Sequence, residues 1–401
     1  MKKHGKRDAW YELVKDIRKT AQTQARIVLA AAYASVLVEK LNALPFIVHA
    51  WGSQSGTGKS VLLQLAASVW ADPFIGHYIK SSNSTDVGRE VMCGFCNNLP
   101  FIMDEIQLIQ QMQNFDRMIY TLCEGTGRVR GSRSGGTQET LTWLNTILTS
   151  GEQPISNDNS RAGAMNRLIE LKCEGNIFKD ARDVSQRLQK DYGFSGREFV
   201  ENLMTDGAID HVRELQKSFY AEIQKTDVTE KQKLSASVLL AADAAIEEWL
   251  FQDGIRLNVN DLMPFLLTNT MIDVNLRALE WFYDWVATNS SNFMAGEHDQ
   301  YYGRFEDETG RQCSEPNPYA VSVVRSVFMD AMNEAGFNPK AFISWCGQRG
   351  AVIHTARMTR VPNASTIRCV VIKLSREEPK KEELTVVQEK LDDLPWEVPN
   401  R

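Results

Sequence analysis

The sequence predicts an α/β fold with a parallel, doubly wound sheet, followed by a helical region and a C-terminal winged helix. Three observations predict it. Short apolar runs of strand length alternate with helical stretches between residues 46 and 148. A glycine-rich loop joins the first of these runs to the helix behind it. Helix-spaced patterning alone fills 177–251, and the chain then gives helices followed by two strands and a polar loop between them.

Residues 10–44, rich in Ala, Leu, Gln and Lys and free of Pro and Gly, read as one long helix or two in succession, stopped by Pro45. Phe46–Trp51 is a buried parallel strand. After the glycine-rich loop, Val61–Trp70 is a helix ended by Asp72-Pro73. Leu99–Met103 is a second strand running into Asp104-Glu105, and Trp143–Leu148 a third running into Thr149-Ser150. From about Asp261 come the helix VNLRALEWFYDWVA, the short strand YYGRF, the helix AVSVVRSVFMDAMNEA and a short helix after Asn338-Pro339. The strands Ala351–His354 and Ile367–Leu374 close the series. The expected domains are 1–176, a core with its N-terminal helix; 177–260, a lid-like helical domain; 261–374, a winged helix; and 375–401, a charged, disordered tail.

With 401 residues and 43% hydrophobic content, the chain has apolar material for two or three domains. A net charge of −6 gives its surface no general attraction for nucleic acid, so any such contact has to come from local basic patches. The basic start MKKHGKR is followed by an apolar run, Ile27–Val38, that comes too late for a signal peptide and is too short to span a bilayer. A soluble, cytoplasmic protein without membrane contact is expected. Seven cysteines, thinly spread apart from Cys93-Gly-Phe-Cys96, fit a reducing compartment and structural thiols.

The strongest chemical signal is Gly52, Ser53, Gln54, Ser55, Gly56, Thr57, Gly58, Lys59 and Ser60, set between a strand and a helix as a phosphate-binding loop must be. Backbone N–H groups would surround the phosphates of ATP, Lys59 would neutralise them, and Ser60 would hold Mg²⁺. The pattern GxxxxGK[ST] is departed from at its first position, where Ser53 stands and Gly52 precedes it by one residue. Asp104 and Glu105 complete such a site: Asp104 for the Mg²⁺ shell, Glu105 to polarise the attacking water. Thr149 and Ser150 are candidates for a γ-phosphate sensor or for a strand-end cap. Arg161 and Arg167 are candidates for an arginine finger reaching a neighbouring subunit.

Arg128, Arg130 and Arg133 lie among glycines and small polar residues in 124–136, the pattern of a hairpin or mobile loop with a basic tip for a phosphate backbone. Between Lys340 and Lys373 there is no acidic residue, and Lys340, Arg349, Arg357 and Arg360 make this stretch a candidate DNA contact. Winged helices also dock proteins, and that reading stands beside it.

WGSQSGTGKSVLLQLAASVWADP, LPFIMDEI, YTLCEGTGRVRG, ILTSGEQPI and GAMNRLIEL resemble, in order and spacing, the AAA+ (MCM-like) helicases of phages and integrative mobile elements, the uncharacterised-domain family of the staphylococcal cassette chromosome helicase. The resemblance spans about Trp10 to Leu374. It implies a P-loop NTPase core, a hexamer that unwinds DNA, a pre-sensor hairpin at EGTGRVRG and a trans-acting Arg167, with Lys231 or Lys233 as a second sensor. Members often carry a further primase-like N-terminal domain, so a fragment or a separate primase is expected. The expected function is an ATP-dependent DNA helicase; the alternative is an ATP-switched initiator or loader without processive unwinding. Primase, polymerase or single-strand-binding protein are the expected partners, the last through the acidic, aromatic-ended Asp392–Trp396.

Overall fold

The N-terminal stretch forms two helices, α1 (Arg7–Thr20) and α2 (Thr23–Ala34), parted where Ala21 and Gln22 are extended. Gln22 is held out of the helix by the 174–177 turn: its N–H donates to Ile177 O (3.0 Å) and its amide to Glu174 O (3.0 Å). The structure, a computed structural model, describes residues 2–106, 115–131, 136–156, 160, 162–294, 300–313, 318–362 and 366–374.

Strand β1 (Phe46–Trp51) follows, then α3 (Lys59–Trp70), β2 (Lys80–Ser81), α4 (Asp86–Cys96), β3 (Phe101–Asp104), α5 (Phe115–Cys123), β4 (Thr146–Gly151), α6 (Ala162–Met165) and β5 (Leu168–Lys172). All five strands are parallel, in the order β2-β3-β4-β1-β5. Sequence periodicity finds three of them. It misses β2, which is two residues long, and β5, whose LIELK carries a Glu and a Lys. The third expected strand is displaced toward the C-terminus, so Thr149 and Ser150 lie within β4.

The helices after the sheet are α7 (Ala181–Lys190), α8 (Ser195–Leu203), α9 (Ala208–Ile223), α10 (Glu230–Ile246), α11 (Val259–Leu262) and α12 (Asn269–Ile272). Helix α10 is buried on all sides, because LSASVLLAADAAI presents small or apolar residues at every turn. It packs on α2 and α9, and α2 packs on α3 beneath the sheet. One apolar cluster therefore runs from Trp10 through Leu65 to Leu266. The sequence placed boundaries after 176 and 260, whereas contacts divide the chain once, between Asp273 and Val274. The helical region shares its core with the sheet because neither α2 nor α10 has a polar face to turn to water.

The second unit holds α13 (Val274–Thr288), β6 (Gly303–Glu306), β7 (Ala320–Val324), α14 (Arg325–Glu334), α15 (Pro339–Gln348), β8 (Val352–Arg360) and β9 (Thr366–Lys373). AVSVV, expected to open a helix, is the strand β7: its β-branched run pairs antiparallel with β9 from Ala320↔Lys373 to Val324↔Cys369. The sheet order is β6-β7-β9-β8. Phe282, Phe328 and Phe342 fill the space between the three helices. Asn338 caps α15 by accepting from the Lys340 and Ala341 N–H groups, with Pro339 at the first turn. Among the described residues no helix is long and apolar enough to cross a membrane. The expected tail at 375–401 lies outside the described residues.

Candidate functional site

The carboxyl ends of β1, β3 and β4 open on a cleft of about 540 Å³, lined by Ser55–Val61, Asp104, Glu105, Ser150–Glu152 and, from α7, Ala181, Arg182, Ser185 and Gln186. Ligands of open parallel sheets sit at this edge. The glycine-rich loop is shaped by two close fits and two positive φ angles. A Cβ at Gly52 would lie 2.5 Å from Cys173 O, and one at Gly58 would lie 2.9 Å from the Phe178 ring. Gly58 also has φ 101° at the head of α3, and Gly56 has φ 79° with open space around it. The Gly52 that stands one residue early is thus required by the end of β5.

Lys59 folds back over its own loop, donating from Nζ to Gly52 O (2.8 Å) and Gln54 O (2.7 Å). Ser60 Oγ donates to Asp104 Oδ1 (3.3 Å), and Ser150 Oγ donates to the same carboxylate oxygen. Glu105 has φ 56°, in the left-handed region that a non-glycine residue seldom occupies. Its N–H is shared between Asp104 Oδ1 (3.1 Å) and Ser150 Oγ (3.2 Å), and its carbonyl accepts from Ser82 Oγ. These bonds on both sides hold a turn that would otherwise be strained, and they set Glu105 at the cleft wall. Lys59, Ser60, Asp104, Glu105 and Ser150 therefore come together at this cleft. The neighbouring hydroxyl and carboxylate oxygens of Ser60 and Asp104 are of the type magnesium takes.

Thr149 does not face the cleft. It and His49, both fully buried, are bonded to one another. Burial drives the His49 imidazole down to about 4, so it is neutral.

Sequence reasoning missed Ser82, Arg182, Ser185, Gln186 and Glu152. Ser82 lies next to a two-residue strand. The α7 residues come from a helix whose packing over the cleft no local pattern encodes. Lys231 and Lys233 are not in the cleft lining: Lys233 pairs with Glu230 (2.8 Å), and Lys231 lines a separate cavity on α9 and α10.

Arg167 stands at the amino end of β5, where its carbonyl accepts from Ile47 N–H (2.9 Å), at the sheet edge opposite the cleft. Its guanidinium lies over the Tyr120 ring (4.9 Å) and donates to Gly163 O (2.5 Å), while Nε is buried with no partner. Arg161 lies outside the described residues.

Residues 124–131 and 136–142 run antiparallel, with bridges Thr126↔Thr142 and Gly131↔Thr137. Its arginines are not free. Arg128 pairs with Asp86 (3.2 Å) and Glu90 (3.6 Å), and Arg130 with Glu90 (2.5 Å). The acids that pair with these two arginines come from α4. Arg133 lies outside the described residues.

In the second unit, Arg357 is likewise turned inward, onto Glu306 and Ser322. Glu306, 1% exposed, also pairs with Arg304 (3.0 Å), so Arg357 serves the fold and leaves the candidate DNA contacts. Lys340 and Arg360 are exposed, and Arg349, also exposed, stacks over Trp345 (4.0 Å). Met358 and Arg368, opposite one another on the β8–β9 hairpin, are exposed too.

The molecule is thus an α/β protein with a parallel sheet, carrying a helix-turn-helix unit at its C-terminus. Residues 1–141 match the family described as a domain of unknown function, DUF927, and residues 273–377 match the Cch helix turn helix domain. The fold is similar to that of the solved structure titled "SCCmec type IV Cch - active helicase", with TM-score 0.67 and 17% identity over 93% of this chain and 70% of that one. Two structures of the C-terminal region of NrS-1 align with TM-scores of 0.27 and 0.23, at 13% and 11% identity, over 62% of this chain and 72% of each of theirs. No curated protein matches the chain. The resemblance to the family of the staphylococcal cassette chromosome helicase, read from the motifs, is shown by the two family matches and the Cch structure together.

Proposed function

We propose that the chain is an ATP-dependent DNA helicase with a P-loop AAA+ core, the replicative motor of a phage, plasmid or integrative element. The observation that carries the reading is the gathering of Lys59, Ser60, Asp104, Glu105 and Ser150 at one cleft on the carboxyl edge of a parallel sheet. The loop N–H groups and the positive end of α3 face an anion there, and Lys59 exchanges two backbone carbonyls for a phosphate oxygen. Ser60 and Asp104 would hold Mg²⁺, which when bound would supply neutralisation of phosphate charge. Glu105 orients the attacking water and takes its proton. Ser150, bonded to Asp104 and the Glu105 N–H, reads the γ-phosphate.

Arg167 acts on the nucleotide of a neighbouring subunit in a homo-oligomeric ring, a hexamer by family resemblance. Its position at the far edge from its own cleft, with an unpartnered buried Nε, favours that role. The Arg128–Arg130 hairpin contacts single-stranded DNA in the ring, and Lys340, Arg349 and Arg360 contact duplex phosphates. Primase, polymerase and single-strand-binding protein are the partners such a motor works with, in the cytoplasm.

Purified chain should turn over ATP with Mg²⁺ and release a strand from a forked duplex. Lys59→Ala should abolish both, and Glu105→Gln should keep nucleotide affinity while lowering turnover by about a hundredfold or more. Turnover with DNA binding but no strand release would favour the initiator or loader. Turnover that survives Lys59→Ala would remove the site.

A further inference from the structure

The sheet face turned toward α5 is built in layers. One layer is apolar: Phe101 pairs with Ile147, Ile147 with Ile47, and Ile47 with Leu168. The next layer toward the carboxyl edge is Met103, Thr149, His49 and Glu170, in the same register. Three of its four members are polar, Thr149 and His49 fully buried on central strands and Glu170 half-buried on the edge strand, where apolar side chains would cost less to bury. All three polar residues are nevertheless satisfied. Gln153 O can only accept, so His49 Nε2 carries the hydrogen (3.0 Å), and Nδ1 accepts from the Thr149 hydroxyl (2.8 Å). Glu170 accepts from the N–H groups of Ile155 (2.6 Å) and Ser156 (3.2 Å) and from the Ser156 hydroxyl.

Every one of these bonds outside the sheet ends on 153–156. That short segment joins the cleft-lining Ser150–Glu152 to the stretch that leads to Arg167. We propose that the row Thr149–His49–Glu170 is a set of positioning residues that locks the segment after β4, and so holds Ser150 and Glu152 in place for hydrolysis. The inference rests on the ATPase reading for its effect on catalysis, and on the hydrogen bonds alone for the locking. It also assigns Thr149: its hydroxyl is bonded to His49 within the sheet, so it orients the strand end, while Ser150 is the residue that lines the cleft.

The test uses the full chain with paired variants, Thr149→Val against Thr149→Ser and Glu170→Leu against Glu170→Gln. Thr149→Val removes the bond to His49 and Glu170→Leu those to 155–156; Thr149→Ser keeps the hydroxyl, and Glu170→Gln keeps one oxygen for the two N–H groups while its amide donates to Ser156 Oγ. Expected are a fall in kcat of about tenfold or more for Thr149→Val and Glu170→Leu, affinity for a non-hydrolysable ATP analogue within about twofold of wild type, and near-normal kcat for Thr149→Ser and Glu170→Gln. Amide exchange at Ile155 and Ser156 should quicken by about tenfold or more in the first of each pair. Wild-type kcat in both disrupting variants, or equal losses within each pair, overturns the proposal. A wild-type chain that does not hydrolyse ATP defeats the ATPase reading instead, and amide exchange then decides the locking by itself: unchanged protection at 155–156 sinks it. If Thr149→Val does not fold, the Glu170 pair carries the same comparison.

Discussion

At the scale of single residues, the fully buried His49 makes a prediction independent of ATP chemistry. Its ordinary value of 6.5 falls to about 4 in the folded chain, because burial disfavours the cation more than the hydrogen bond to Gln153 O favours it. Between those values the unfolded chain takes up a proton that the native chain does not. Stability from this group is therefore fully present above about 6.5 and is lost as pH falls through about 4. The shift is worth on the order of 3 kcal/mol. The buried Asp243, raised to about 6, acts in the opposite sense: its contribution is present at low pH and is lost as pH rises through that value. Asp243 cancels in the difference between wild type and His49→Gln, so the stability of wild type relative to the variant should fall as pH drops from about 6.5 to about 4. Parallel profiles for the two proteins would refute it. His49 also shows how much of the site the sequence carried. Lys59, Ser60, Asp104 and Glu105 are legible because loop, strand and helix fix them locally. His49, Glu170, Ser82 and Arg182 are not, since their partners are set by strand register and helix packing.

Two elements are tied down by charge. Helix α1 is anchored through Arg18, whose side chain is fully buried and pairs with Asp243 (3.4 Å), Glu247 (3.0 Å) and Asp253 (3.0 Å) beneath the face of Phe251. Removing one partner of a buried ion cluster leaves unpaired charge, so Arg18→Met should lower unfolding free energy by about 4 kcal/mol in a denaturant titration. A change within about 0.5 kcal/mol would show that the cluster contributes nothing net. Helix α4 restrains the basic hairpin in the same manner, with the almost fully buried Glu90 between Arg128 and Arg130. Glu90→Gln removes the ion pair of Arg130 and leaves Arg128 paired with Asp86 alone, and single-strand DNA affinity should rise by about threefold or more with a steeper salt dependence. Unchanged affinity and slope would mean the hairpin is not a DNA contact. The sequence showed this hairpin as basic because charge was counted along the chain; the neutralising acids come from an element some forty residues earlier, roughly the length of one strand-helix repeat.

For the whole molecule, the sequence made the α/β core and the C-terminal unit visible but not the single body of 1–273, because a helix apolar on every side reads locally like any other helix. That body sets its cleft and Arg167 at opposite edges of one sheet. On the proposed role of Arg167, the chain would need a neighbour to complete its site and would carry a complementary half-site on each side. Two inactive variants should therefore rescue one another. Lys59→Ala keeps its arginine and Arg167→Ala keeps its cleft, so an assembly mixed from equal amounts regains a complete site wherever an Arg167→Ala cleft meets a Lys59→Ala neighbour. Random mixing makes that roughly a quarter of all interfaces, and ATP turnover should recover to about that fraction of wild type. Turnover that stays at the level of the separate variants, in an assembly shown to be mixed, would assign Arg167 to the fold it touches through Tyr120 and Gly163 rather than to the neighbouring nucleotide.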